Sequence, residues 1–156
     1  MAYETSSGLG SYNQYGSRAT GGAVGIEQTS NNEFRLVVNL TGELINSGYV
    51  PPVKIPKGAR GLRAILRVDE VFVVSAAGTV AVGAAGGPGT DGIVLTEATL
   101  EALGTKDVTS MFAGTWDEAH ATGVAAAALV DIEVTGTVTN AGKGTLVVEF
   151  VNFTKI

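Results

Sequence analysis

Strict two-residue alternation recurs along this chain, and it limits the fold more than any other feature. From Leu62 to Asp69 the residues run Leu-Arg-Ala-Ile-Leu-Arg-Val-Asp. Leu62, Ala64, Leu66 and Val68 fall on one parity, and Arg63, Ile65, Arg67 and Asp69 on the other. That is the period of a strand with one buried face. The same period places Phe34, Leu36, Val38 and Leu40 on one face of a second strand, and Ile132, Val134 and Val138 on the inner face of a third. In the last run, Thr145 to Thr154, both parities are apolar: Leu146, Val148 and Phe150 on one, Val147, Val151 and Phe153 on the other. Such a strand needs cover on both faces, so it is central or meets another subunit. Asn140 to Gly144 reads as the turn of a hairpin joining the third and last of these strands.

The punctuation supports short strands. Val24 lies in a first short strand over residues 22–27, and Thr79 to Gly83 and Ile93 to Leu95 form two more. Pro51, Pro52 and Pro56 shape an edge strand or its approach, and Lys57-Gly58 turns the chain into the run at Leu62. Parity breaks at Asp69-Glu70, which predicts a bulge or a bend between sheets. One helix is expected over about 96–103, with Thr96 as its cap, Gly104 at its stop, and Leu100 and Leu103 packed on a sheet. Ser110 to Trp116 reads as a further strand, with Trp116 buried.

These readings give an all-β fold, an antiparallel β-sandwich or jelly roll with one short helix and an extended N-terminal arm. Residues 1–21 form the arm, and residues 22–156 form a single domain. The arm is built from Gly, Ser, Tyr, Asn, Gln and Thr and has no core of its own. Its tyrosines Tyr3, Tyr12 and Tyr15 are anchor residues suited to a contact, which predicts an arm that orders on a neighbouring subunit. A chain of this length buries roughly 68–70% of its unfolded surface, so a self-supporting core is expected.

Only 16% of the residues are charged, and a surface so poor in charge predicts an assembly rather than a monomer. A net charge of −5 argues against nucleic acid as a partner. With no cysteine there is no thiol nucleophile, disulfide or thiolate metal site. No basic and apolar leader and no apolar run of about 20 residues is present, so no membrane association is expected.

Candidate chemistry is sparse. The single histidine, His120, follows Asp117-Glu118, but one imidazole and two adjacent acids do not define an acid–base or metal site. Gly142-Lys143-Gly144-Thr145 lacks the earlier glycine of a phosphate loop, since Thr137 stands at that position. Asp131 and Glu133 share a strand face that reads as solvated, with calcium binding or pairing to Arg63 and Arg67 across a sheet as the other options. No enzyme, cofactor or metal is expected.

The arm from Ser11 to Gly25, the segment from Tyr49 to Val74, and the run from Val80 to Gly104 together resemble small structural proteins of tailed-bacteriophage heads, the capsid decoration or cement family. The resemblance implies a virion protein made in the host cytoplasm and placed on the capsid surface. It implies the major capsid protein as partner and a homo-oligomer, a trimer first and a dimer second. Capsid or subunit contacts would then come from Tyr3, Tyr12, Tyr15 and Arg18 in the arm and from Arg63 and Arg67 on the body. The other reading of the same architecture is a virion-fibre or adhesin module that binds carbohydrate through the Trp116 loop.

Overall fold

A computed structural model of the chain describes residues 13–15, 24–28, 33–47, 53–85, 87–117, 124 and 126–152. Its strands in chain order are β1 (Asn13–Tyr15), β2 (Val24–Gln28), β3 (Glu33–Thr41), β4 (Lys54–Ile55), β5 (Ala59–Glu70), β6 (Thr79–Ala84), β7 (Gly92–Thr96), β8 (Gly104–Asp107), β9 (Phe112–Ala113), β10 (Ala128–Thr135) and β11 (Lys143–Asn152). Two short helices interrupt them, α1 (Gly42–Asn46) and α2 (Glu97–Leu100). A six-stranded sheet has the order β1-β2-β3-β11-β5-β8 and a five-stranded sheet the order β4-β10-β6-β7-β9. Every strand pairing is antiparallel.

The alternation in sequence builds one shared core. Leu36, Val38, Leu66, Leu146 and Val148 from the first sheet meet Val80, Val82, Ile93, Leu95 and Val130 from the second, all essentially solvent-free. This makes the chain an all-β sandwich. β11 lies between β3 and β5 along its length, which gives its doubly apolar sequence the central position that it requires. β4 is an edge strand, as the prolines around it suggest.

β5 carries two bulges. One falls at Asp69, where Lys143 is in register with Glu70 and Gly144 with Val68, so the break in parity was visible in the sequence. The other falls at Leu62 and corrects the expected face: Phe150 is in register with Gly61 and Glu149 with Arg63, so Leu62 is skipped and stays 37% exposed. The inward set upstream of the bulge is Ala59 and Gly61 instead. Gly61 is required there, because a Cβ would stand 2.6 Å from both the Phe112 ring and the Trp116 carbonyl oxygen.

The expected hairpin at Asn140 to Gly144 is a crossover between sheets. β10 pairs with β4 and β6, whereas β11 pairs with β3 and β5. Beside β10, β11 would have hydrogen-bond partners on one edge in a sheet already supplied by β6. Between β3 and β5 it gains partners on both edges. The link turns at Gly136 and Gly142, both at positive φ, and Val138 bridges Val74. α1, which the sequence reading lacked, holds this link: Asn46 Nδ2 donates to the Val138 carbonyl at 2.7 Å and to Asn140 Oδ1 at 2.9 Å, and the Gly42 amide donates to the Gly142 carbonyl at 3.3 Å. Thr41 caps α1 by accepting the Leu44 amide at 3.1 Å.

The helix expected over 96–103 is the four-residue α2. Leu100 is buried, but Leu103 lies beyond the helix and is 64% exposed. Thr96 occupies the cap position while its hydroxyl pairs with that of Thr99 at 2.9 Å rather than with a backbone amide. The Lys106 ammonium closes the other end, donating to the carbonyls of Thr99 and Ala102. Ser110 to Trp116 is not one strand: two 3-10 turns, Thr109–Met111 and Gly114–Trp116, flank the two-residue β9.

Candidate interaction surface

Residues in mutual register across an antiparallel sheet point to the same side, so the outer face of the six-stranded sheet can be read row by row. The central row is Val37–Val147–Ile65–Asp107. Its Val37, Val147 and Ile65 are half-buried and apolar, on the side opposite the core. On one side of it lies the charged row Glu27–Arg35–Glu149–Arg63, and on the other the polar row Asn39–Thr145–Arg67–Thr105. Thr145 Oγ1 donates to Asn39 Oδ1 at 3.2 Å. Arg67 is bridged by Asp69 at 2.7 Å, with its side chain 67% exposed.

The bulge at Leu62 adds an apolar side chain to this surface. A shallow depression of about 280 Å³ opens beside it, lined by Glu33, Phe34, Arg35, Leu62, Glu149 and Phe150. An apolar centre with arginines around it is the composition of a protein-contact patch.

The six residues expected at contacts divide as follows. Arg63 and Arg67 stand on this face, four residues apart on β5, and Tyr15 occupies the edge strand β1, in register with Gly25 of the same chain. Tyr3, Tyr12 and Arg18 lie outside the described residues, as do Glu118 and His120. Sequence reasoning missed Arg35, Val37 and Glu149. The outward parity of β3 carries the first two, but only the pairing with β11 shows that they join Arg63 and Ile65.

Asp131 and Glu133 do not meet Arg63 and Arg67. β10 belongs to the five-stranded sheet, and its Val130, Ile132 and Val134 pack into the core, so the two acids face outward on the opposite side of the sandwich. Trp116 is wholly buried and meets Phe150 edge to face at 4.9 Å, which removes it as a platform for a sugar ring. Among the described residues no three His, Cys, Asp or Glu side chains converge as a metal site, and no helix is long and apolar enough to cross a membrane.

At the β8 edge, Asp107 accepts the Thr109 hydroxyl at 2.6 Å and the Thr109 amide at 2.9 Å. These bonds, with Arg63 nearby, hold its carboxyl below the usual value of 3.8. Because the folded value lies below the unfolded one, the contribution to stability is complete above pH 3.8 and is lost as the pH falls from there through the folded value. Asp107→Asn is therefore expected to flatten the acid side of a plot of thermal midpoint against pH. An acid side identical to that of the unaltered protein would show that the Asp107–Thr109 pairing does not form.

Comparison of the chain with protein-family models, curated proteins and solved structures returned no match to any of them.

Proposed function

We propose that this chain is a non-catalytic structural protein that decorates the outside of a phage head, with the N-terminal arm contacting the capsid lattice and the open sheet face contacting a protein neighbour. The observation that carries the reading is the outer face of the six-stranded sheet, where the half-buried Val37, Val147 and Ile65 lie between Arg35 and Arg63 on one side and Arg67 on the other. A solvated sheet face has little use for a continuous apolar row, whereas a contact surface does. The arm suits the same role, since a second, linked contact raises avidity without a tight individual site. The jelly-roll form of the sandwich and the trimer belong to this reading.

Deleting residues 1–21 tests it. Among the described residues the deletion removes β1 alone, at the edge of the six-stranded sheet, so the far-ultraviolet circular dichroism is expected to keep its β signature. Cosedimentation with expanded heads lacking the protein is expected to disappear. Undiminished cosedimentation of the truncated chain would overturn the proposal.

A further inference from the structure

One end of the outer face of the six-stranded sheet has an apolar floor. On β11 the outward parity runs Thr145, Val147, Glu149, Val151, and Val151 shares a row with Glu33 and Arg60. Among the described residues Val151 is no part of the shared core, yet it is only 4% exposed, so this end of the outer face is already closed to water. Leu62, turned outward by its bulge, stays open beside the depression. At about 280 Å³ that depression falls below the ~300–1,000 Å³ of a small-molecule pocket and suits single side chains.

The chain enters the same sheet within reach of this end. Asn13, the first residue of β1, is in register with Glu27 and through it with Arg35, Glu149 and Arg63, the row that borders the depression. From there β1 runs away from the Val151 end. Twelve residues precede Asn13, and β11 lies three strand spacings from β1, about 14 Å. Four extended residues cover about 13 Å, which carries position 9 to β11. Leu9 stands there, the one large aliphatic side chain between Met1 and Asn13, and its neighbours Gly8 and Gly10 have no Cβ to keep the backbone off a sheet. Glu4 is the only charged side chain of residues 1–12, so the segment can lie on an apolar floor without burying an array of charges.

We propose that residues 1–12 dock on this end of the outer face of their own chain, with Leu9 seated in the depression beside Leu62. The inference rests on the reading above that the face is a protein contact, and it names the occupant in the free protein. A tether this short holds the segment at an effective concentration on the order of millimolar, so a weak contact keeps the depression filled. On a head, the arm that leaves for the capsid lattice uncovers Leu62 and the depression for a neighbour. Release of the arm and contact between copies are then one event.

The chain contains no cysteine, so engineered thiols report on the docking without background. In Leu9→Cys with Glu149→Cys, mild oxidation of the dilute full chain, with no head particles present, is expected to close a disulfide within one chain, read as a monomer that resists thiol labelling until it is reduced. Leu9→Cys with Asn39→Cys is the control, because Asn39 is exposed on the same face and lies about 17 Å from Asn13 against about 14 Å for Glu149. A loose arm would reach both, whereas a docked one is expected to close the control pair at least about tenfold more slowly. In a Leu62→Cys chain, deletion of residues 1–12 is expected to speed maleimide labelling at least about fivefold. Equal closure of the two pairs, disulfides only between chains, or labelling that the deletion leaves unchanged would each overturn the proposal, the second in favour of a neighbouring copy as occupant. Head binding of the unaltered chain is read separately: closure without binding overturns decoration alone, and binding without closure overturns this docking alone.

Discussion

Alanine at Trp116 is expected to cost about 4 kcal/mol of stability, a large share of the ~5–15 kcal/mol available to a domain of this size. The side chain is fully buried, and its ring meets Phe150, which in turn stacks on Phe34 at 5.0 Å. Its removal empties the largest fully buried position in the core and breaks an aromatic contact worth about 0.5–1.5 kcal/mol beyond its area. One detail separates this site from an ordinary core tryptophan: among the described residues the buried indole Nε1 meets no acceptor. An orphaned donor costs about 1–3 kcal/mol, so Trp116→Phe, which deletes the donor and keeps a ring, is expected to cost far less than alanine. Urea unfolding at constant slope measures both. A loss under about 1 kcal/mol for alanine would show that the tryptophan is not packed as described.

Gly42→Ala is expected to destabilise by about 2–3 kcal/mol, against the sign that helix propensity alone gives. Alanine is favoured over glycine by about 1 kcal/mol inside a helix, and Gly42 lies in α1. Yet a Cβ at Gly42 would lie 2.5 Å from the Ala141 carbonyl oxygen and from the Asn140 carbonyl carbon, and closer still to the Thr139 oxygen. All three are backbone atoms of the crossover, so no side chain can swing away. Relief requires moving the link that carries the chain from one sheet to the other, and overpacking of this kind costs roughly 1–3 kcal/mol or more. Glu43→Ala, one residue on and exposed, is the control and is expected to change stability by less than about 0.5 kcal/mol. Equal midpoints for the two variants would rule out the close approach.

Local pattern made the strands legible, and distant pairing decided what local pattern left ambiguous. Phe34, Leu36, Val38 and Leu40 are inward as their spacing indicates, and the bulge at Asp69 was marked by two adjacent acids that break the period. Nothing in Arg60-Gly61-Leu62-Arg63 marks the second bulge. It follows from how Phe150 registers on β5 and from the need for Gly61 to pass under Phe112 and Trp116. The stretch from Asn140 to Gly144 has turn chemistry whether the chain returns beside itself or crosses to the other sheet, and only the double apolar character of β11 favoured the crossover. α1 is too short to show a helical period, and its anchor is the contact of Asn46 with Val138 and Asn140, far along the chain. Of the candidate surface, the outward parity of Arg63 and Arg67 could be read directly, whereas the row that joins Arg35, Glu149 and Arg63 exists only through two strand pairings.

The central place of β11 also sets an order in time. β3 and β5 are neighbours of β11 but not of each other, so the six-stranded sheet has no middle until residues 143–152 have left the ribosome. Before then, Leu36, Val38, Leu66 and their neighbours have nothing to close against, and two long strands present open edges. Folding of this sheet therefore awaits the last strand and is dominated by contacts between distant parts of the chain, which places it among the slower small β proteins and makes chain synthesis the interval of greatest exposure to aggregation.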